Sequence, residues 1–298
     1  MSLPLARRPV VTRSLCAAIA LAAFLPSVAA RADFLDSINP MNWWKDEKYA
    51  PKPINDPPPS KLYAKGIKDM QERDFETSAK VFSTLEKAYP YSQYQRKGLI
   101  MTTYAQYENK SYTDAIGSAK RYLGLYPNSP DSAYVTYLEA MAYYDQIPDI
   151  NHDLVQAENA ANAFNEIVTK YPNSEYAADA RYKMGIARDQ LAGKELEVGR
   201  WYLKQGNYTG AINRFRVVLA KYQTTRQVEE ALERLTEAYL AMGLPQEAQT
   251  AAAVLGHNYP DSPWYKEAYA KLQSSGGLRP NEDKGSWISK VFKGAKIG

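Results

Sequence analysis

Four times the chain spells Tyr-Pro-x-Ser: Tyr89-Pro-Tyr-Ser92, Tyr126-Pro-Asn-Ser129, Tyr171-Pro-Asn-Ser174 and Tyr259-Pro-Asp-Ser262, with Tyr222-Gln-Thr-Thr225 as a degenerate fifth copy. Each copy follows one amphipathic helical stretch and precedes another. Proline stops the helix before it. Ser or Thr suits the cap of the helix after it, and Ser92 with Gln95 has the form of a capping box. From residue 60 onward there is almost no strand-like alternation. A chain punctuated at a steady interval reads as stacked helical units.

The internal pattern of the unit is legible by counting back from each junction. Twelve residues before the proline position stand Ser78, Ala115, Ala160, Ala211 and Ala248, all small. Eight before it stand Phe82, Ala119, Phe164, Phe215 and Ala252. Twenty-four before it, where no insertion intervenes, stand Gly66, Thr103, Gly199 and Thr236. Small residues let two antiparallel helices approach closely, and the intermediate ring is expected to fill the gap to the next unit. Turn signals fall between the helices at Arg73-Asp74-Phe75, Lys110-Ser111-Tyr112, Gly206-Asn207-Tyr208 and Gly243-Leu244-Pro245.

Two intervals are longer than the rest. Gln146–Asp153 is an insertion between the helices of repeat three, and 175–205 is a long helical run opening repeat four, with Gly193 an interior weak point. The fold predicted is all-α: a right-handed α-α superhelix, or solenoid, of five tetratricopeptide-like repeats over 60–273. Stacking gives such a chain one continuous core, so its length does not imply two globular domains.

The ends read differently. Arg7, Arg8 and Arg13 precede the apolar run Leu15–Leu25, and Ala30-Arg-Ala32 offers a cleavage site, so 1–32 is expected to be a Sec-type signal peptide. Cys16, the one cysteine, sits before most of that run rather than after it; lipidation there is disfavoured. Residues 33–59 hold six prolines and read as an extended linker. Trp43-Trp44 within it suits either an anchor or a pair of rings folding back on the first helices. The tail 274–298 is expected to be flexible and basic, with a possible short amphipathic helix over Gly285–Gly294 that would be either a clip or a frayed terminus.

The formal net charge of +4 comes from Arg7, Arg8, Arg13 and Arg31 in the leader; the remainder balances. That disfavours nucleic-acid binding, which needs an excess of Lys and Arg. No phosphate loop, zinc-protease or nucleophile-elbow motif is present. His152 lies alone in the insertion, and His257 is placed as a helix C-terminal cap. No catalytic, metal or cofactor set is expected, and an enzyme is disfavoured. The 24 Tyr against 7 Phe instead suggest surfaces half buried and half wet. On the first helices, Tyr63, Ile67 and Met70 of repeat one and Ile100, Tyr104 and Tyr107 of repeat two form a candidate peptide groove. The alternative is that these rings pack between repeats.

The Pro-rich leader into Asp56-Pro-Pro-Pro-Ser-Lys-Leu-Tyr63, the Y-P-x-S junctions, the block Leu191-Ala-Gly-Lys-Glu-Leu-Glu-Val-Gly-Arg-Trp-Tyr-Leu203 and the last junction Ala252–Pro260 together resemble the BamD family, in its alphaproteobacterial form. The resemblance covers about 60–273. It implies a non-enzymatic scaffold at the periplasmic face of the outer membrane, peripheral to that membrane. The implied partners are a BamA-like barrel assembly protein with other subunits of its complex, and unfolded outer-membrane proteins in the N-terminal groove. It also implies that Asn213-Arg214 belongs to the BamA contact; the competing reading is an internal pair of Arg214 with Glu230 or Glu233. The chain departs from the family in lacking a credible lipobox. The rival function is a periplasmic adaptor of the Tol and cell-wall machinery, though such adaptors carry a coiled coil and 33–59 holds no heptads.

Overall fold

Five junctions share one backbone conformation, and that repetition builds the molecule. Tyr89, Tyr126, Tyr171, Tyr222 and Tyr259 each end a helix, with φ between −126° and −136° and ψ between 38° and 60°. The carbonyl of each then accepts from the amide three residues on, that of Ser92, Ser129, Ser174, Thr225 or Ser262, at 3.0–3.2 Å. Proline at the second position pre-sets φ for such a β-turn. Gln223 replaces it without changing the turn.

The structure is a computed structural model that describes residues 57–150 and 152–294. The expected leader 1–32, Cys16, Trp43-Trp44 and most of the 33–59 linker lie outside the described residues. Among the described residues every regular element is a helix. Five hairpins follow in order: α1 (Pro59–Gln71) with α2 (Phe75–Ala88), α3 (Gln95–Glu108) with α4 (Tyr112–Leu125), α5 (Ser132–Tyr144) with α6 (Val155–Lys170), α7 (Ala177–Lys204) with α8 (Tyr208–Lys221), and α9 (Gln227–Ala241) with α10 (Pro245–Asn258). Then come α11 (Pro263–Ser274) and α12 (Trp287–Gly294). This is the expected solenoid of tetratricopeptide-like hairpins. From α1 to α11 each helix packs on the next, and α11 takes the place of a sixth first helix against α9 and α10. It covers the open end of the stack, as terminal caps of repeat proteins do.

Within four hairpins the turn is equally uniform. Arg73, Lys110, Gly206 and Gly243 have φ of 60–72°. The following amide (Asp74, Ser111, Asn207, Leu244) donates to the carbonyl five residues back at 2.9 Å. This left-handed closure satisfies carbonyls that the helix end leaves open. Asp74 and Asn207 then cap α2 and α8 through Thr77 N and Gly210 N.

The small residues do what their spacing suggested, with one correction about the rings. A Cβ on Gly66 would lie 2.6 Å from Phe82 Cζ, and one on Gly199 2.3 Å from Phe215 Cε1. The rings therefore fill the crossing of their own hairpin before they reach the next unit. Where the first helix carries Thr103 or Thr236 in place of glycine, the second carries Ala119 or Ala252. Repeat three pairs Ala140 with Phe164 in one buried cluster. Ser78 Oγ donates across the first crossing to Gly66 O at 2.9 Å, satisfying both groups out of water.

Successive repeats are joined by contacts that periodicity did not reveal. Tyr94 stacks on Tyr63 (5.1 Å) and Tyr176 on Tyr137 (5.1 Å), while Arg234 lies over Trp264 (5.5 Å). Tyr94, Tyr176 and Trp264 each stand four residues past the junction proline. The expected capping box fails. Gln95 already lies in the first turn of α3, whose cap position is Tyr94 with no side-chain bond. Ser92 Oγ is buried without a partner, and Gln95 Oε1 instead accepts from Tyr126 Oη. Of the junction hydroxyls, Ser262 caps the following helix directly, accepting from Trp264 N.

The two long intervals explain each other. A Cβ on Gly193 would sit 2.9 Å from Ile150 Cδ1, so the insertion of repeat three packs onto the extra turns of α7.

The tail needs a larger revision. Rather than being flexible, its described part folds back. Gln249 Nε2 donates to Arg279 O (2.8 Å), Ser286 Oγ to Glu247 (2.8 Å) and Trp287 Nε1 to Tyr239 Oη (3.0 Å). Ile288 is fully buried, and α12 rests on α10 and α8. The cause is amphipathicity: Trp287, Ile288, Val291 and Phe292 face the core of the last repeats, and Lys290 faces water.

Candidate functional site

Two separate surfaces follow from this framework. The first lies between repeats one and two, on the first helices. Ile67, Met70 and Gln71 of α1, Arg73 of the turn, Phe75 of α2, and Met101, Tyr104 and Glu108 of α3 line a shallow, largely apolar groove of about 550 Å³. Phase places them there. Met101, Tyr104 and Glu108 recur at helical spacing on one stripe of α3. Phe75 meets Tyr104 edge-on at 6.4 Å. Burial, then the nearby Glu108 carboxylate, raises the Tyr104 phenol above its ordinary pKa, so it remains a proton donor across the physiological range.

Of the six residues expected in a groove, Ile67, Met70 and Tyr104 converge here. Tyr63 does not: it is used between repeats, stacked on Tyr94 and edge-on to Phe82. Ile100 is buried at 6% exposure. Tyr107 Oη donates to Asp145 at 2.7 Å, which joins repeats two and three. Burial and that carboxylate push its pKa far up. Sequence reasoning missed Phe75 and Met101. Met101 was recoverable as the residue three before Tyr104; Phe75 was read only as part of a turn.

The second surface lies on α8. Asn213 is exposed and Arg214 half-buried. They line a shallow depression of about 370 Å³ with Tyr202, Asn207, Gly210 and Val217. Arg214 Nη1 donates to Glu195 Oε2 at 3.1 Å. The internal partner is therefore neither Glu230 nor Glu233. Glu230 is held by Arg200 and Arg234, and Glu233 by Lys271 and Arg234, in a network that ties repeats four and five to α11. The extended α7 brings Glu195 opposite Arg214. Beside this depression Trp201 stands 56% exposed, its ring set against Tyr202 at 5.1 Å.

Reactive groups do not converge in the same way. Among the described residues no three His, Cys, Asp or Glu side chains form a metal-binding group. His152 is exposed in the insertion. His257 is exposed in the last turn of α10, where Asn258 rather than the histidine bonds back to Val254 O at 2.8 Å. No helix among the described residues is long and apolar enough to cross a membrane.

Fold and surfaces together define a helical-repeat protein with shallow grooves along a stack of tetratricopeptide-like hairpins. Residues 55–255 match the YfiO family, described as outer membrane lipoprotein, and the chain belongs to that family. A relative from Caulobacter vibrioides, named outer membrane protein assembly factor BamD, is 45% identical over 219 residues, 74% of this chain and 72% of its own. Relatives with the same name from Rickettsia prowazekii and Neisseria meningitidis serogroup A are 38% and 33% identical, covering 73% and 70% of this chain and 86% and 82% of theirs. Among solved structures, the MamA protein superposes with a TM-score of 0.35 at 18% identity, over 74% of this chain and 96% of its own. That likeness is too slight to add to what the helices themselves establish.

Proposed function

We propose that the chain is an assembly factor for outer-membrane proteins that works as a scaffold without catalytic chemistry, peripheral to the outer membrane on its periplasmic side. The observation that carries this is the 45% identity to a protein named for that role, together with the family match over 55–255, which spans the repeats that carry both surfaces. In this reading Asn213 and Arg214 contact the periplasmic part of a BamA-type barrel subunit. Arg suits the task, since its planar fork clamps a carboxylate with two bonds. Arg214 is held at the rim of the depression by Glu195 and by the phenol of Tyr202, with its side chain still partly exposed.

The groove of Ile67, Met70, Phe75, Met101 and Tyr104 receives unfolded barrel chains. It offers apolar area for burial and one phenol for a hydrogen bond, which fits an extended segment of alternating character. Holding both partners on one rigid stack raises the concentration of each as seen by the other. A photo-crosslinker at Tyr104 tests the groove. The expected product is a covalent adduct with newly exported, unfolded barrel proteins. Adducts from Tyr182 on α7, exposed outside the groove, in place of Tyr104 would count against it.

A further inference from the structure

The segment beyond the match to the family, from residue 256, ends in a helix that lies against the element carrying Asn213 and Arg214. Three contacts seat it there. The Arg216 guanidinium stacks over the Trp287 ring at 4.6 Å. Gln223 Nε2 donates to Val291 O at 3.3 Å. Trp287 and Ile288 are drawn into the core of repeats four and five.

The charge of this pair of helices is one-sided. α8 carries Arg214, Arg216 and Lys221 and no acid; α12 carries Lys290 and Lys293 and no acid. Nearby carboxylates are few and engaged: Glu195 with Arg214, Glu247 with Ser286, Glu282 with Lys293, and Asp283 with the amide of Gly285. Arg216, Lys221 and Lys290 are exposed, and none has an ion pair among the described residues. Asn213 and Arg216 follow one another along the exposed crest of α8, and Lys221 lies two residues from the point where Gln223 grips α12. Basic side chains thus flank the exposed crest of α8, Arg214 and Lys221 on one side and Arg216 on the side of α12, which adds Lys290 and Lys293. Three of the four acids of α9 are neutralised within the stack, Glu230, Glu233 and Glu237 pairing with Arg200, Arg234 and Lys271, and the fourth, Glu229, acts on Tyr259 of the last junction.

We infer that α12 is the second half of the partner-docking face: α8 and α12 together receive an acidic surface of a folded protein that reaches from Arg214 to Lys290. This deepens the reading of Arg214 given above and rests on it. Complementary charge across an interface rim mainly sets the rate of encounter and its salt dependence. The folded tail makes the basic helix part of a rigid surface, so its lysines need not be ordered on binding.

The test is binding of the full chain to the purified periplasmic domains of the BamA-type subunit, at low and high salt. Lys221→Glu with Lys290→Glu reverses two exposed charges and touches no buried group. It should weaken binding about tenfold at low salt, with the deficit shrinking once salt screens the rim. Arg214→Glu should abolish binding. If Arg214→Glu abolishes binding while the lysine pair changes it by less than about twofold, α12 is no part of the face. If the lysine pair weakens binding and Arg214→Glu does not, the Arg214 reading falls and with it a face that runs from Arg214, leaving only a contact at the two lysines. If the lysine pair loses only adhesion to phosphatidylglycerol vesicles, the face serves a membrane and the inference is overturned.

Discussion

Glu139 shows how much a single side chain can cost this stack. It sits on α5 with 12% of its side chain exposed, and burial pushes its carboxyl up to about 7. Lys120 Nζ, 4.0 Å away, pulls it back down, and Glu166 pushes it further up. Lys120 also lies over the Tyr143 ring at 5.7 Å, so its charge is shared. A carboxyl whose folded pKa exceeds its unfolded value near 4.5 holds its proton more tightly in the folded state. Stability from this site is therefore fully present in acid, below the unfolded value, and is lost as pH rises through about 7. Glu139→Gln keeps the shape and removes the titration. It should raise stability by about 1–3 kcal/mol at mildly alkaline pH and change little in acid, measured by urea unfolding. An equal effect at both pH values would show that the carboxyl is not held out of water.

At the scale of the hairpin, the unit of design is a volume shared between two helices. Glycine on the first helix meets phenylalanine on the second at Gly66 with Phe82 and Gly199 with Phe215; threonine meets alanine at Thr103 with Ala119 and Thr236 with Ala252. Gly199→Thr alone drives a side chain into the fully buried Phe215 and should cost about 1–3 kcal/mol or more. Phe215→Ala alone opens a cavity and should cost about 3–5 kcal/mol. The double variant recreates the pairing of repeats two and five, where Thr103 and Thr236 bond their hydroxyls to Leu99 O and Leu232 O. It should therefore recover most of the combined loss in thermal unfolding; simple addition of the two losses would refute the shared-volume account. The same scale shows what was legible beforehand. Turns, small positions and the insertion were readable because each depends on local backbone geometry repeated at an interval. The direction of the rings, the Tyr63–Tyr94 stack and the Arg214–Glu195 pair were not. Each depends on which neighbouring helix a side chain faces, and the last also on the roughly four extra turns of α7, whose partner, Ile150, lies far back in the chain.

Across the whole stack, hydrophobic hairpins provide rigidity, and the two surfaces proposed for docking lie toward its ends. The groove of repeats one and two sits near the start, with three of its expected residues given over to packing. The Arg214 face sits near the other end, with the docked tail beside it. The short helix of the tail was legible over Gly285–Gly294, but its docking was not, because the polar, glycine-rich Ser274–Gly277 before it reads as a flexible lead and periodicity does not say which helices its apolar face meets. Such a molecule does its work through what it holds, so the central claim is tested by what it retrieves. Affinity capture from an envelope extract, with Arg214→Glu as the paired control, is the direct measurement. The account predicts that the native chain retrieves a BamA-type barrel assembly protein and that the Arg214→Glu chain does not. Recovery of Tol or cell-wall synthesis proteins in its place, or equal recovery by both chains, would contradict it.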